Sequence, residues 1–134
     1  NRRYYNHKLT KEITENYDII STESLTISKM IMDKEHHLSK AISDATFNEI
    51  LEQLEYKAKE RGKYFYKISP YYPSSQICSV CNNIDKKYKN LDERMYECNR
   101  CYSKLDRDFN ASVNIMFEGL KLHIMAPMKN LSTR

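Results

Sequence analysis

Two four-residue hooks constrain this chain more than any other feature. Cys78-Ser79-Val80-Cys81 and Cys98-Asn99-Arg100-Cys101 stand sixteen residues apart. A C-x-x-C hook curls so that both sulfurs face one point, and two hooks present four thiolates to one tetrahedral zinc ion. A thioredoxin-type redox role would need a single hook on a βαβ unit, which the surrounding pattern does not provide. No secretory signal is visible, so a cytoplasmic protein is expected and a disulfide framework is disfavoured. Cys78, Cys81, Cys98 and Cys101 would close the coordination shell, which leaves the zinc a structural role. Binding energy on the order of 10 kcal/mol can fold a segment too short to own a core.

Between and just after the hooks lie Lys86, Lys87, Lys89, Arg94, Arg100, Lys104 and Arg107, interleaved with Tyr88, Tyr96 and Tyr102. Cations with aromatics suit phosphate contact and base stacking. Asp85, Asp92, Glu93, Glu97 and Asp106 offset much of that charge, so an ordinary solvated surface stays open. Across 134 residues Lys and Arg exceed Asp and Glu by 22 to 18, a balance that permits a polyanionic partner without requiring one. Apolar residues at 40% and charged residues at 30% describe a globular chain, and no apolar run approaches the roughly 18 residues that span a bilayer.

Around the hooks the periodicity predicts a frame. Tyr5, Leu9 and Ile13 step by four along a helix over 2–16, and a strand follows to Thr22. Alternation puts Ile19, Ser21 and Glu23 on one strand face, so Glu23 is expected beside a buried isoleucine. Residues 28–42, with His36 and His37, read as a loop holding at most a short helix. Ser43 or Asp44 is expected to cap a helix to about Arg61, with Phe47, Ile50, Leu51, Leu54 and Ala58 inward and Gly62 as its stop. Tyr64 to Ser69 reads as a second strand, ended by Pro70 and Pro73. Tyr71 and Tyr72 suit either base stacking or packing on the frame. Phe109, Val113, Met116, Phe117 and Leu120 form a final helical stripe, before a frayed tail that contains Pro127.

The expected organisation is therefore α/β, with residues 1–75 as frame, 76–104 as ribbon, 105–121 as returning helix and 122–134 as flexible tail. Glu23 at a strand end and Asp108 at a helix start are carboxylates of the kind that hold Mg²⁺ for phosphodiester hydrolysis. Two plainer readings stand beside this. Asp108 could cap the helix that starts near Phe109, and Glu23 could be an exposed strand-end charge.

NHKL at 6–9, YDIISTESL at 17–25, LSKAISDATF at 38–47, LEYKA at 54–58, YPSSQICSVC at 72–81, LDERMYEC at 91–98 and DRDFNASVNI at 106–115 follow one another along the chain. Together they resemble the C-terminal part of the TnpB proteins, also called OrfB, of bacterial insertion sequences, relatives of the type V CRISPR nucleases. The resemblance runs from near residue 6 to about 120. It implies a partial RNase H-like (RuvC-like) domain with an inserted four-cysteine zinc ribbon that binds target nucleic acid. It also implies an RNA-guided DNA endonuclease, with DNA and a guide RNA as partners and Mg²⁺ as catalytic cofactor. Glu23 and Asp108 fall on two of three catalytic acids, Asp106 flanks them, and the first aspartate belongs to an early strand expected upstream of this stretch. Lys86, Lys87, Lys89, Arg94 and Arg107 are the expected nucleic-acid contacts. The alternative is a zinc-ribbon module, or truncated relative, that binds DNA without cutting it.

Two departures matter. Relatives carry an acid after the catalytic glutamate where Ser24 stands, and glycine after each hook where Asn82 and Tyr102 stand. Asn accepts the left-handed conformation fairly well and Tyr poorly, which leaves two readings: a distorted second knuckle, or a copy drifting from the family pattern.

Overall fold

The computed structural model describes residues 2–24, 37–89 and 92–132, with side chains over 2–24, 45–89 and 92–126. The chain is mixed α/β and divides into two compact units, Asn1–Pro70 and Tyr71–Arg134. Among the described residues no helix is long and apolar enough to cross a membrane.

In the first unit, α1 (Arg2–Asn16) precedes β1 (Ile19–Thr22), α2 (His37–Glu60) and β2 (Tyr64–Lys67). β1 and β2 pair in parallel, Ile19 opposite Tyr64 through Thr22 opposite Lys67. Ile20, Leu54 and Ala58 form the core, with Ile13, Ile50 and Phe65 packed against them. The inward stripe expected of α2 is therefore the one used. Gly62 ends α2 at φ 69, and the Lys63 amide donates to Ala58 O at 2.7 Å. That is the 6→1 closure a left-handed residue makes possible.

α2 begins at His37, six residues before Ser43, so Ser43 and Asp44 lie inside the helix and not at its start. Residues 38–42 (Leu-Ser-Lys-Ala-Ile) contain no Gly or Pro, and nothing in them opposes extension of the helix. His37 opens this helix, and His36 lies outside the described residues.

α1 corrects a second expectation. Its buried residues are Asn6, Thr10 and Thr14, while Tyr5 and Leu9 are exposed. Polar pairing explains the choice. Thr10 Oγ1 lies 3.0 Å from Gln53 Oε1 and accepts from Lys57 Nζ at 2.7 Å, and Asn6 Nδ2 donates to Glu49 Oε2 at 3.4 Å. A seam of satisfied hydrogen bonds joins α1 to α2 where the sequence pattern suggested apolar contact.

The second unit holds the hooks. Ile77 and Ile84 form an antiparallel bridge across the first, and a 3₁₀ helix (Lys86–Lys89) follows. β3 (Met95–Glu97) and β4 (Lys104–Asp106) pair antiparallel across the second, Tyr96 opposite Leu105. α3 (Arg107–Ser132) leaves β4 without a linking loop. It continues through Pro127, so the tail expected from residue 122 onward is helical to Ser132. Pro127 forfeits one intrahelical hydrogen bond without ending the element. The stripe expected inside α3 is largely outside it, because Phe109, Met116 and Phe117 are exposed and Asn110 and Asn114 are buried.

Candidate metal centre and nucleic-acid interface

Both hooks fold by the same backbone rule. The amide of Asn82 donates to Cys78 O at 2.8 Å, and that of Tyr102 donates to Cys98 O at 3.0 Å. Cys78 N then donates to Asn83 O and Cys98 N to Ser103 O, at 2.8 and 2.9 Å. Each turn needs a left-handed residue after its second cysteine. Asn82 takes φ 66 and Tyr102 takes φ 63. The second knuckle is thus not distorted: Tyr102 adopts the strained conformation and keeps the hydrogen bonds.

The result is a tetrad of thiols. The Sγ atoms of Cys78 and Cys101, and of Cys81 and Cys98, are 3.6 Å apart, and all four lie within 4.8 Å of one another. Tetrahedral zinc–sulfur bonds of about 2.3 Å would set sulfurs about 3.8 Å apart, so the tetrad fits such an ion. Amides of Arg100 and Cys101 point at Cys98 Sγ, each at 3.4 Å, and favour its thiolate. Burial pushes the Cys78 thiol up to about 11, while the Ser103 hydroxyl and amide draw Cys101 down to about 6. A bound cation would favour the thiolate at every position.

Tyr88 and Tyr96 are the ribbon's core, not its stacking surface. Both are buried against the cysteines, with ring centroids 4.4 Å apart. The Tyr96 hydroxyl donates to Gln76 O at 2.9 Å, and the Tyr88 hydroxyl bridges the amide and carbonyl of Glu97, each at 3.1 Å. Of the three ribbon tyrosines only Tyr102, 81% exposed, is open to a ligand. Tyr71 is exposed as well, whereas Tyr72 is half-buried with its hydroxyl 3.4 Å from Asn114 O.

The cations divide in the same way. Lys86, Lys87 and Lys89 are exposed on the 3₁₀ helix, and Lys87 Nζ sits 5.3 Å from the Tyr88 ring centroid. Arg94 is exposed. Arg107 is half-buried, donates to Glu93 O at 3.2 Å and pairs with Asp108 at 3.4 Å.

Asp106 Oδ1 accepts from the Phe109 amide at 3.0 Å, which makes Asp106 the cap of α3. The capping explanation of Asp108 therefore fails. Its side chain is 86% exposed and, with Arg94, Asp106 and Arg107, lines a cleft of about 280 Å³.

Glu23 is exposed one residue past β1 in the first unit. The buried isoleucine of β1 is Ile20, on the face covered by α2, so the face Glu23 shares carries the half-buried Ile19 instead. Ser24 donates to Ile68 O at 2.6 Å and fixes the chain just after Glu23. Glu23 and Asp108 belong to different units, each described by itself.

Two residues that the sequence reading passed over hold the second unit together. Asn110 donates to Ile77 O at 2.7 Å and accepts from the Ser79 amide at 2.9 Å. Asn114 donates to Ser74 O and Ile77 O at 2.9 and 2.8 Å. These asparagines pin α3 to the first knuckle through backbone groups alone. Their spacing of four along one helix face was the signal available.

Residues 47–115 match the family described as "Cas12f1-like, TNB domain". A candidate RNA-guided DNA endonuclease of Streptomyces pristinaespiralis is 34% identical over 85% of this chain and 27% of its own length. The CRISPR-associated endodeoxyribonuclease Cas12f1 of Sulfoacidibacillus thermotolerans is 30% identical over 96% of this chain and 29% of its own. The chain thus spans less than a third of either relative. Among solved structures, Cas12f1 in a complex with single-guide RNA and target DNA aligns with TM-score 0.56 at 21% identity, covering 85% of this chain and 33% of that one. That likeness is one of fold.

Proposed function

This chain belongs to the Cas12f1-like TNB-domain family, and on that premise we propose that it is the C-terminal portion of an RNA-guided DNA endonuclease, with a zinc ribbon that binds DNA. The observation that carries the reading is the thiol tetrad inside the matched residues, with β4 running straight from Asp106 into Arg107-Asp108 at the start of α3. Zinc held by Cys78, Cys81, Cys98 and Cys101 would have no open position, so it would support structure only. Lys86, Lys87, Lys89, Arg94 and Arg107 would meet phosphates, and guide pairing would choose the sequence.

The first unit, in this reading, is part of an RNase H-like (RuvC-like) nuclease domain. Glu23 and Asp108 would serve as two of three Mg²⁺ ligands, with the third aspartate on an early strand outside residues 1–134. Bound Mg²⁺ would activate water and stabilise the leaving oxygen. Arg107, paired with Asp108, would hold that carboxylate in place until an ion competes for it. A DNA-binding module without cleavage is the rival, and the Arg107–Asp108 pair is the observation in its favour.

Two measurements test this. Zinc-loaded chain binds labelled single-stranded DNA, and Lys86→Glu/Lys87→Glu/Lys89→Glu weakens binding by about tenfold with a shallower salt dependence. Unchanged binding would remove the ribbon from the interface. With Mg²⁺ and single-stranded DNA, the 134 residues cleave no faster than the Glu23→Gln/Asp108→Asn variant. Robust cleavage by the unaltered chain would overturn the requirement for a third acid.

A further inference from the structure

The first unit carries an open cleft of about 490 Å³ between α1 and α2. Lys8 and Lys11 line it from α1, Lys57, Glu60 and Arg61 from α2, and the rings of Tyr4 and His7 complete it. Its cations come from sequence positions as far apart as 8 and 61, so no charge run announces it.

Four cations face one carboxylate there. Glu15 just outside the lining pairs with Arg61 at 3.3 Å and with Lys11 at 4.0 Å, which still leaves a positive excess. Among the described residues Lys8 makes no ion pair. Lys57 is held at the base of the cleft, donating to His7 O at 2.9 Å and Thr10 Oγ1 at 2.7 Å. An ammonium has three donors, so one remains. Burial, and then the charge of Arg61, hold Lys57 below the usual lysine range, with a further contribution from Lys11. An anion in the cleft would relieve that repulsion.

The rim argues for more than an isolated anion. Tyr4, 64% exposed, meets Tyr5 edge to face at 5.9 Å, which props an aromatic surface beside the cations. Tyr4, Lys8 and Lys11 share one face of α1 and span about 10 Å of helix, room for successive phosphates of one strand. Phosphate contacts beside an open aromatic are the working parts of single-strand binding.

We propose that the cleft between α1 and α2 binds the phosphodiester backbone of a single nucleic-acid strand, with Tyr4 stacking on a base. This contact is separate from the ribbon, and its test must be able to fail separately. Zinc-loaded full chain is titrated into fluorescein-labelled oligothymidylate and oligouridylate of about 12 nucleotides across a range of salt. Lys8→Glu/Lys11→Glu, both exposed positions, weakens binding about tenfold and makes the salt slope shallower by about 1.4. Tyr4→Ala weakens binding of the oligomers about fivefold and leaves that of inorganic pyrophosphate unchanged. A 4-thiouridine oligomer crosslinks to the peptide that contains Tyr4. Equal affinity for the two oligomers assigns the contact to the shared backbone, and preference for uridylate assigns it to RNA.

Unchanged affinity and slope in Lys8→Glu/Lys11→Glu, with circular dichroism showing the fold intact, would overturn the inference. So would pyrophosphate binding as tight as that of the oligomers, which would make this a free-phosphate site. If the Lys86/Lys87/Lys89 variant loses all binding while Lys8→Glu/Lys11→Glu retains it, the ribbon reading stands and this one falls. The reverse pattern overturns the ribbon contact and supports the cleft.

Discussion

Tyr102 holds φ at 63 beside the thiol tetrad, in a backbone region that costs a residue with a bulky side chain about 1–2 kcal/mol. Nothing in the side chain repays this within the ribbon, since it is exposed. Tyr102→Gly should therefore raise the stability of the zinc-loaded chain by about 1 kcal/mol, read from the denaturant midpoint. Asn82→Gly should gain less, because Asn accepts φ 66 more readily. Equal gains at both positions would count against strain as the cause. If Tyr102 also touches a base, Tyr102→Gly will weaken DNA binding as it stabilises the fold. Both positions could be located from the hooks alone, since a C-x-x-C turn fixes where the left-handed residue falls. Whether Tyr102 would adopt that conformation or break the turn was a tertiary matter.

At the scale of elements, the helices show where pattern reading succeeds and where it inverts. The stripe of α2 is buried as its periodicity requires, because a sheet face lies under it. In α1 and α3 the polar residues one position along are buried instead. Asn110 and Asn114 complete backbone bonding in the first knuckle, where a buried amide or carbonyl without a partner is costly. Asn110→Ala strips partners from Ser79 N and removes one from Ile77 O, and should cost about 2–3 kcal/mol. Asp106→Ala removes only the α3 cap and should cost about 1 kcal/mol. Thermal unfolding of the two variants checks the order. A larger loss at Asp106 would mean that the cap, and not the asparagine pins, fixes the helix to the ribbon.

For the whole molecule, the division into Asn1–Pro70 and Tyr71–Arg134 separates two sources of stability. The first unit has an aliphatic cluster under a parallel strand pair, while the core of the second is two tyrosines and the cysteines. Metal binding energy should therefore be folding energy for the second unit alone. Purified chain should carry one equivalent of zinc. A chelator should remove hydrogen-exchange protection from amides over 95–106 and leave the β1 and β2 amides protected. Less than about half an equivalent of zinc, or protection that persists over 95–106 after chelation, would count against a structural metal.

The amino-acid sequence by itself located the four clustered cysteines, the two strands of the first unit and the helix between them. Each depends on local spacing: cysteines three apart, alternation by two, apolar steps of three and four, and glycine at a helix end. Only the tertiary structure decided which face of α1 and α3 is buried, and that Asp106 caps α3 while Asp108 stays open. It also decided that Tyr88 and Tyr96 are core, and that cations from two distant helices line one cleft. These outcomes turn on which backbone groups need partners and which side chains meet across space, and a linear pattern of residue types carries neither.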